Sequence, residues 1–252
     1  MISRQYNALE SLKVMGRAPH EALGPNIEVL LWNVFKCKKD GWHDNFVNLM
    51  KNKDLVLLQE AILNSRFDIQ FNASTEHQWI MARSFKNMRS HIETGVKTGS
   101  RVAASEYTLA ASTHGEPITQ TKKMSLASLY PLHDSQQQLL VINAHLINFV
   151  SLDKFIAHLN IVFQALKTHQ GAVLLAGDFN TWNKQRLKYL QVLAASFSLN
   201  EVTIVRRPRM KHLFKHLDHI YCRGLKATNV QVHTNIHTSD HYPVSLSIRA
   251  NL

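Results

Sequence analysis

Apolar positions fall into short runs that end on polar residues, and the spacing switches between strand and helix periods. Ile27 to Trp32 reads as a strand leading to Asn33. Trp42, Phe46, Leu49 and Met50 follow at helical spacing, and Asp54 to Leu58 is the next strand, ending at Gln59-Glu60. Trp79 to Ala82 is a strand candidate, whereas Ser84 to Ser105 is rich in Ser, Thr, Lys, Arg and Gly and reads as loops with short strands. Ser125 to Tyr130 and Gln138 to Asn143 pattern as antiparallel neighbours joined by Pro131–Ser135, with Ala144-His145 closing the second. Ser151 can cap a helix whose stripe is Leu152, Phe155, Ile156, Leu159, Phe163 and Leu166, and Gly171 stops it. Val173 to Ala176 is a continuous apolar run bounded by turn residues, a buried strand. A helix with Leu187, Leu190, Leu193 and Phe197 follows, then strands at Leu217–Tyr221 and Val244–Ile248.

Residues 1–26 form a peripheral N-terminal arm in this reading. Leu9, Leu12 and Met15 make one helical stripe that Pro19, Gly24 and Pro25 end. Residues 27–252 show no repeat, low-complexity tract or linker, so a single domain is expected there.

Composition narrows the class. Hydrophobic residues make up 45% and charged residues 19% of 252, the balance of a globular chain that can bury a core. Lys and Arg number 29 against 18 Asp and Glu, a formal charge of +11 that favours polyanions. Cys37 and Cys222 offer neither a disulfide framework nor a paired metal site and read as free thiols. No apolar run reaches membrane-spanning length, and Met1 to Asn26 lacks the apolar segment of a secretion signal. Cytoplasm, no stable membrane insertion and a monomer are therefore the expectations.

Polar residues stand at the ends of these runs: Asn33, Glu60, His145, Asp178, Asn180, Asp218, Asp240 and His241. Strands lying side by side would bring such ends to one rim. Asp178 and Asn180, two apart after Gly177, point the same way on an extended backbone; the plain alternative is an Asx turn in which both only cap backbone groups. Hard oxygen donors, two imidazoles and no thiolate suit Mg²⁺ or Mn²⁺ rather than structural zinc.

On Trp32-Asn33-Val34, Leu58-Gln59-Glu60, Asn143-Ala144-His145, Gly177-Asp178-Phe179-Asn180, Leu217-Asp218-His219-Ile220 and Ser239-Asp240-His241, taken in this order, the sequence resembles the endonuclease/exonuclease/phosphatase superfamily. That superfamily includes pancreatic-type deoxyribonuclease, apurinic endonucleases, sphingomyelinases and inositol phosphatases. The compact length and the Leu-Gln-Glu-Ala form of the second motif resemble a small bacterial branch without assigned substrate. The resemblance implies an α/β fold, a two-sheet, mostly antiparallel β-sandwich flanked by helices in four layers. It implies Glu60 as the main metal ligand, with Asn33 beside it and Asp240 completing or supporting the site. Asp178 would accept the proton of the attacking water, which Asn180 would orient. His241 would contact the scissile phosphate with Asp218 fixing its tautomer, and His145 would be the second imidazole. Phe35 stands where apurinic endonucleases have Asp, and His145 where they have Tyr, which moves the sequence toward the deoxyribonuclease and sphingomyelinase side.

The resulting expectation is an Mg²⁺-dependent phosphodiesterase acting on nucleic acid. A phospholipid or phosphate-ester hydrolase and a non-catalytic phosphate-binding protein are the rivals. The dense basic run from Arg206 to His216, with Arg206, Arg207, Arg209 and Lys211, is expected to meet phosphates of the substrate. Trp42 and Trp182 are candidates for stacking a base, weighed against burial. His212 and His216 share helical spacing but suggest no third zinc ligand.

Overall fold

The computed structural model describes residues 3–7, 10–63, 76–133, 135–205 and 217–250. In chain order these form β1 (Ser3–Gln5), β2 (Leu12–Gly16), β3 (Asn26–Asn33), α1 (Trp42–Met50), β4 (Leu55–Leu63), β5 (Gln78–Asn87), β6 (Glu93–Ser100), β7 (Glu106–Ala111) and β8 (Met124–Pro131). There follow β9 (Gln138–His145), α2 (Leu152–Phe163), β10 (Val173–Asp178), α3 (Lys184–Ser196), β11 (Asn200–Glu201), β12 (Asp218–Arg223), β13 (Leu225–Val232) and β14 (Val244–Ala250). One sheet runs β1-β5-β6-β4-β3-β14-β13 with β2 also on β5, and the other runs β11-β12-β10-β9-β8-β7. Only β3/β4 and β9/β10 are parallel among the described pairs.

Three buried clusters stack these parts into four layers. Ile27, Val29, Leu31, Leu57, Val141, Leu174, Ala176 and Ile220 fill the space between the sheets. Trp32, Val56 and Leu58 on the outer face of the first sheet receive Trp42, Phe46 and Met50 of α1. Ile142, Val173, Leu175 and Tyr221 on the outer face of the second receive Phe155 and Leu159 of α2 and Leu190 and Ala194 of α3. Central strands are thus covered on both faces, which is why they read as unbroken apolar runs. No described helix is long and apolar enough to cross a membrane.

Two expectations are corrected. The stripe on Leu12 and Met15 is a strand, not a helix: β2 pairs with β5, Leu12 opposite Ala82 and Met15 opposite Trp79, while Leu9 lies outside the described residues. An open edge of β5 supplied ladder partners that an isolated short helix would lack. The arm is also stitched to the domain, since Leu23 is 2% exposed within the central core. The polar stretch after Ala82 is not loops but two long paired strands, β5 and β6. Thr94, Lys97, Thr98 and Ser100 are buried there; Ser100 Oγ accepts from Val102 N–H at 3.0 Å, and Lys97 Nζ lies 5.2 Å from the Trp79 ring centroid. Asn143 Nδ2, for example, donates to the Lys97 carbonyl and to Thr98 Oγ1, each at 3.2 Å. Satisfied buried polar groups erase the alternation that marks a strand.

Candidate active site

β10 carries the centre of the site. In register, Asp178 is the Cα partner of His145 on β9 and of Asp218 on β12, so three ionisable groups stand in one row across the second sheet. Gly177 makes that row possible. A Cβ there would lie 1.9 Å from the Ala144 carbonyl oxygen. Asp178 divides its oxygens. Oδ1 accepts from Asn180 N–H at 3.0 Å, closing the Asx turn. Oδ2 accepts from Asn33 Nδ2 at 2.9 Å and lies 3.6 Å from His145 Nε2 and 3.7 Å from His241 Nε2. The two sheets therefore meet on one carboxylate oxygen.

His241 comes from the loop before β14. Trp32 Nε1 donates to the His241 carbonyl at 3.1 Å, and Ser239 Oγ donates to the Asn33 carbonyl at 2.6 Å, so the end of β3 holds this loop. His241 Nδ1 faces Asp218 Oδ2 at 2.8 Å, which leaves Nε2 toward Asp178. Asp240 is half-buried, with its Oδ1 3.3 Å from Ser239 Oγ.

Glu60 sits where the β4/β6 register shifts between Leu58 and Ala61, with φ +49°. A bulge of this kind re-aims a side chain beside a site. Glu60 Oε2 is buried and pairs with Lys36 Nζ at 3.3 Å, and Oε1 is 3.9 Å from Lys123 Nζ. Lys36 is delivered by Phe35, Lys36 and Cys37, three successive non-glycine residues at positive φ. Such a run costs about 1–2 kcal/mol per residue and persists only where the surroundings enforce it.

Protonation states diverge inside this small volume. Burial pushes Asp178 up to about 6, Asp218 adds to the rise, and His241 opposes it. Burial also opposes charging His241, but Asp218 and Asp178 outweigh it and lift the imidazole to about 10. Burial, with Lys123 and His241 adding, holds His145 well below the ordinary histidine value. At neutral pH His241 is a cation and His145 is neutral. Burial alone would raise Glu60, yet Lys123 and Lys36 overcome it and keep the carboxylate ionised.

The endonuclease/exonuclease/phosphatase family model matches residues 30–241. The chain belongs to this family. A UPF0294 protein of Vibrio campbellii (strain ATCC BAA-1116) is 32% identical over 229 residues, 89% of this chain and 78% of that one. The endonuclease/exonuclease/phosphatase structure from Beutenbergia cavernae DSM 12333 superposes with TM-score 0.73 at 16% identity, covering 90% of this chain and 72% of that one. The human Nocturnin catalytic domain with bound sulfate anion gives TM-score 0.66 at 16% identity, over 95% and 97% of the two chains. The two-sheet sandwich expected from the motifs is the fold these family structures share.

Enzymes of the endonuclease/exonuclease/phosphatase family generally use a divalent metal, and the donors here fit one. A buried Glu60 kept ionised by Lys123 and Lys36 is a hard oxygen donor. Asn33 Oδ1 accepts from Phe35 N–H at 3.1 Å and keeps a second lone pair. One oxygen or nitrogen each from Asp178, Asp218 and His241 also lie within 4.8 Å of one another. In that trio the imidazolium already supplies the positive charge.

Trp42 is 5% exposed and stacks on Phe46 and Trp32 with centroids 5.0 and 6.0 Å apart, so it belongs to the core. Arg206, Arg207, Arg209, Lys211, His212 and His216 lie outside the described residues. Three site residues escaped sequence reading. Lys36 and Lys123 flank Glu60. Arg186, in the first turn of α3, is 1% exposed and donates to the carbonyls of Ile147 (3.4 Å), Val150 (2.6 Å) and Asn180 (3.2 Å), tying together the loops that follow His145 and Asp178.

Proposed function

We propose that this protein is a divalent-metal-dependent phosphodiester hydrolase acting on nucleic acid. The observation that carries the reading is the single buried oxygen, Asp178 Oδ2, set between one cationic and one neutral imidazole. Titratable neighbours whose environments drive their pKa values apart mark acid and base roles.

Asp178 is the general base in this reading. An aspartate lifted to about 6 is ionised at neutral pH yet more basic than an ordinary carboxylate, so it can take a proton from water. Asn33 and the Asn180 N–H hold its two oxygens in place. Asn180 Nδ2 donates to the Leu146 carbonyl at 2.8 Å, which leaves Oδ1 to accept from the attacking water. His241, charged and fixed by Asp218, offers Nε2–H to a phosphoryl oxygen as negative charge grows. His145, neutral and 3.6 Å from Asp178 Oδ2, is the second imidazole, which would stabilise the phosphorane charge or protonate the leaving oxygen. Glu60, Asn33 and Asp240 would hold the metal, which when bound supplies Lewis-acid stabilisation of the phosphoryl oxygens. The +11 charge supports a polyanionic substrate.

The test is a panel of plasmid DNA, single strands, RNA, a chromogenic diester and sphingomyelin, each with Mg²⁺, Mn²⁺ or chelator. Cleavage of nucleic acid that chelator abolishes and that Asp178→Asn removes is expected. Turnover of sphingomyelin alone, or full activity in chelator, would overturn the proposal.

A further inference from the structure

The loops that leave His145 and Asp178 each carry an aromatic ring into solvent: Phe149 is 73% exposed and Trp182 is 53% exposed. An exposed tryptophan alone means little, but Trp182 is held from two sides. Its Nε1 donates to Asn148 Oδ1 at 2.9 Å, and the same oxygen accepts from Phe149 N–H at 2.8 Å. Asn148 N–H reaches Glu116 Oε1 at 3.3 Å, and Glu116 pairs with Lys123 at 3.4 Å, the lysine beside Glu60. Beneath the ring, Arg186 Cζ lies 4.9 Å from its centroid. That guanidinium is locked by three backbone carbonyls and packs on the Phe155 ring at 4.6 Å. One face of Trp182 is thus floored by a fixed cation and its polar edge is tethered, while the residue stays 53% exposed.

A ring already immobilised loses little freedom when something flat lies on it. We propose that Trp182 is a prebuilt stacking platform that receives a nucleobase of the substrate, so that the site selects nucleotides over phosphate esters lacking a planar ring. The proposal rests on the phosphodiesterase reading for where the phosphate lies. The contacts of the ring favour a base over a lipid: its edge is hydrogen-bonded to Asn148 and its floor is the Arg186 guanidinium, which hold it as a fixed flat surface, and the chain's charge of +11 suits a phosphorylated ligand, while the exposed Phe149 on the neighbouring loop makes the membrane alternative one for the test.

Adenosine 5′-monophosphate and ribose 5-phosphate share sugar and phosphate and differ by the base, so calorimetric titration of both isolates the stacking contribution without turnover. The wild type is expected to bind the nucleotide at least ~5-fold more tightly. Trp182→Ala should bring the ratio to about one while leaving ribose 5-phosphate affinity unchanged, and Trp182→Phe should keep most of it. Tryptophan emission gives a second reading. Trp32, Trp42 and Trp79 are each at most 5% exposed, so quenching by the nucleotide should come from Trp182 and vanish in Trp182→Phe although the preference remains. Equal wild-type affinities, no saturable nucleotide binding at millimolar concentration, or an unchanged ratio in Trp182→Ala would each overturn the platform. So would flotation with phosphatidylserine vesicles that depends on Trp182, which would make the ring a membrane contact. If no diester is cleaved with any metal, the proposed reaction fails, and the affinity ratio still decides the platform by itself.

Discussion

Asp178 has different partners for its two oxygens: Oδ1 closes the Asx turn, and Oδ2, held by Asn33, faces the two imidazoles and is the oxygen proposed to take the proton. The Asx turn and the general base, rival readings of the bare motif, are therefore compatible. Asp178→Asn keeps the turn and removes proton acceptance, so kcat should fall at least ~10²-fold with KM little changed, measured on a chromogenic diester. The pH profile of kcat/KM has predictable limbs. The base must be ionised, so activity is lost as pH falls through about 6. His241 must be protonated, so activity is lost again as pH rises through about 10. A profile whose acid limb stays in place in Asp178→Asn would remove that residue from the mechanism. Glu60→Gln should weaken Mg²⁺ binding by calorimetry while the unfolding midpoint holds, since the residue is paired by charge and not by packing. Strand-end carboxylates and imidazoles could be found in the sequence because an apolar run announces each one. Lys36, Lys123 and Arg186 could not. Lysines in loops, and an arginine set between Lys184 and Lys188 on a helix, look solvated until the fold buries them.

At the level of elements, the parallel pair β9/β10 decides whether the site exists. Gly177→Ala would drive a methyl group to 1.9 Å from the Ala144 carbonyl oxygen. The strands must separate to admit it, so a loss of about 3 kcal/mol or more is expected in urea unfolding, together with loss of activity. Arg186→Met tests the staple between the two catalytic loops. It removes the donor of three buried carbonyls, and a loss of about 2–4 kcal/mol is expected. Activity should fall further than stability explains, because the loops holding Asn180 and Asn148 lose their common anchor. Elements with a dry face were readable in sequence: the strands of the central core and all three described helices lie where the apolar spacing put them. β2, β6 and the second half of β5 beyond Ala82 were not, because edge pairing and buried hydrogen-bonded Thr and Ser replace the hydrophobic alternation that sequence reading depends on.

Over the whole molecule the charge of +11 is the strongest statement about the partner. Each phosphate neutralised on binding releases counterions, so affinity for nucleic acid should fall steeply with salt. Replacing Arg206, Arg207, Arg209 and Lys211 with Ser should flatten the plot of log affinity against log salt by about 3, at roughly 0.7–0.9 per contact. Hydrolysis of a small diester should be almost unchanged. An identical slope in wild type and variant would move the weight to a small phosphorylated substrate.

The cross-strand row of His145, Asp178 and Asp218, completed by His241, also fixes when activity can appear. Its members are separated by long stretches of chain, and the bond from Trp32 to the His241 carbonyl closes almost the full length of the domain. No local hairpin or fragment contains the chemistry. Sheets built from such distant pairings fold slowly, in milliseconds to seconds or longer. During synthesis, a nascent chain that has not yet released β12 lacks both Asp218 and His241. Under the proposed mechanism no hydrolysis is expected from a partly made protein. On refolding from denaturant, activity should return with the rate constant of the global tryptophan signal, with no active species before it and no slower local step after it.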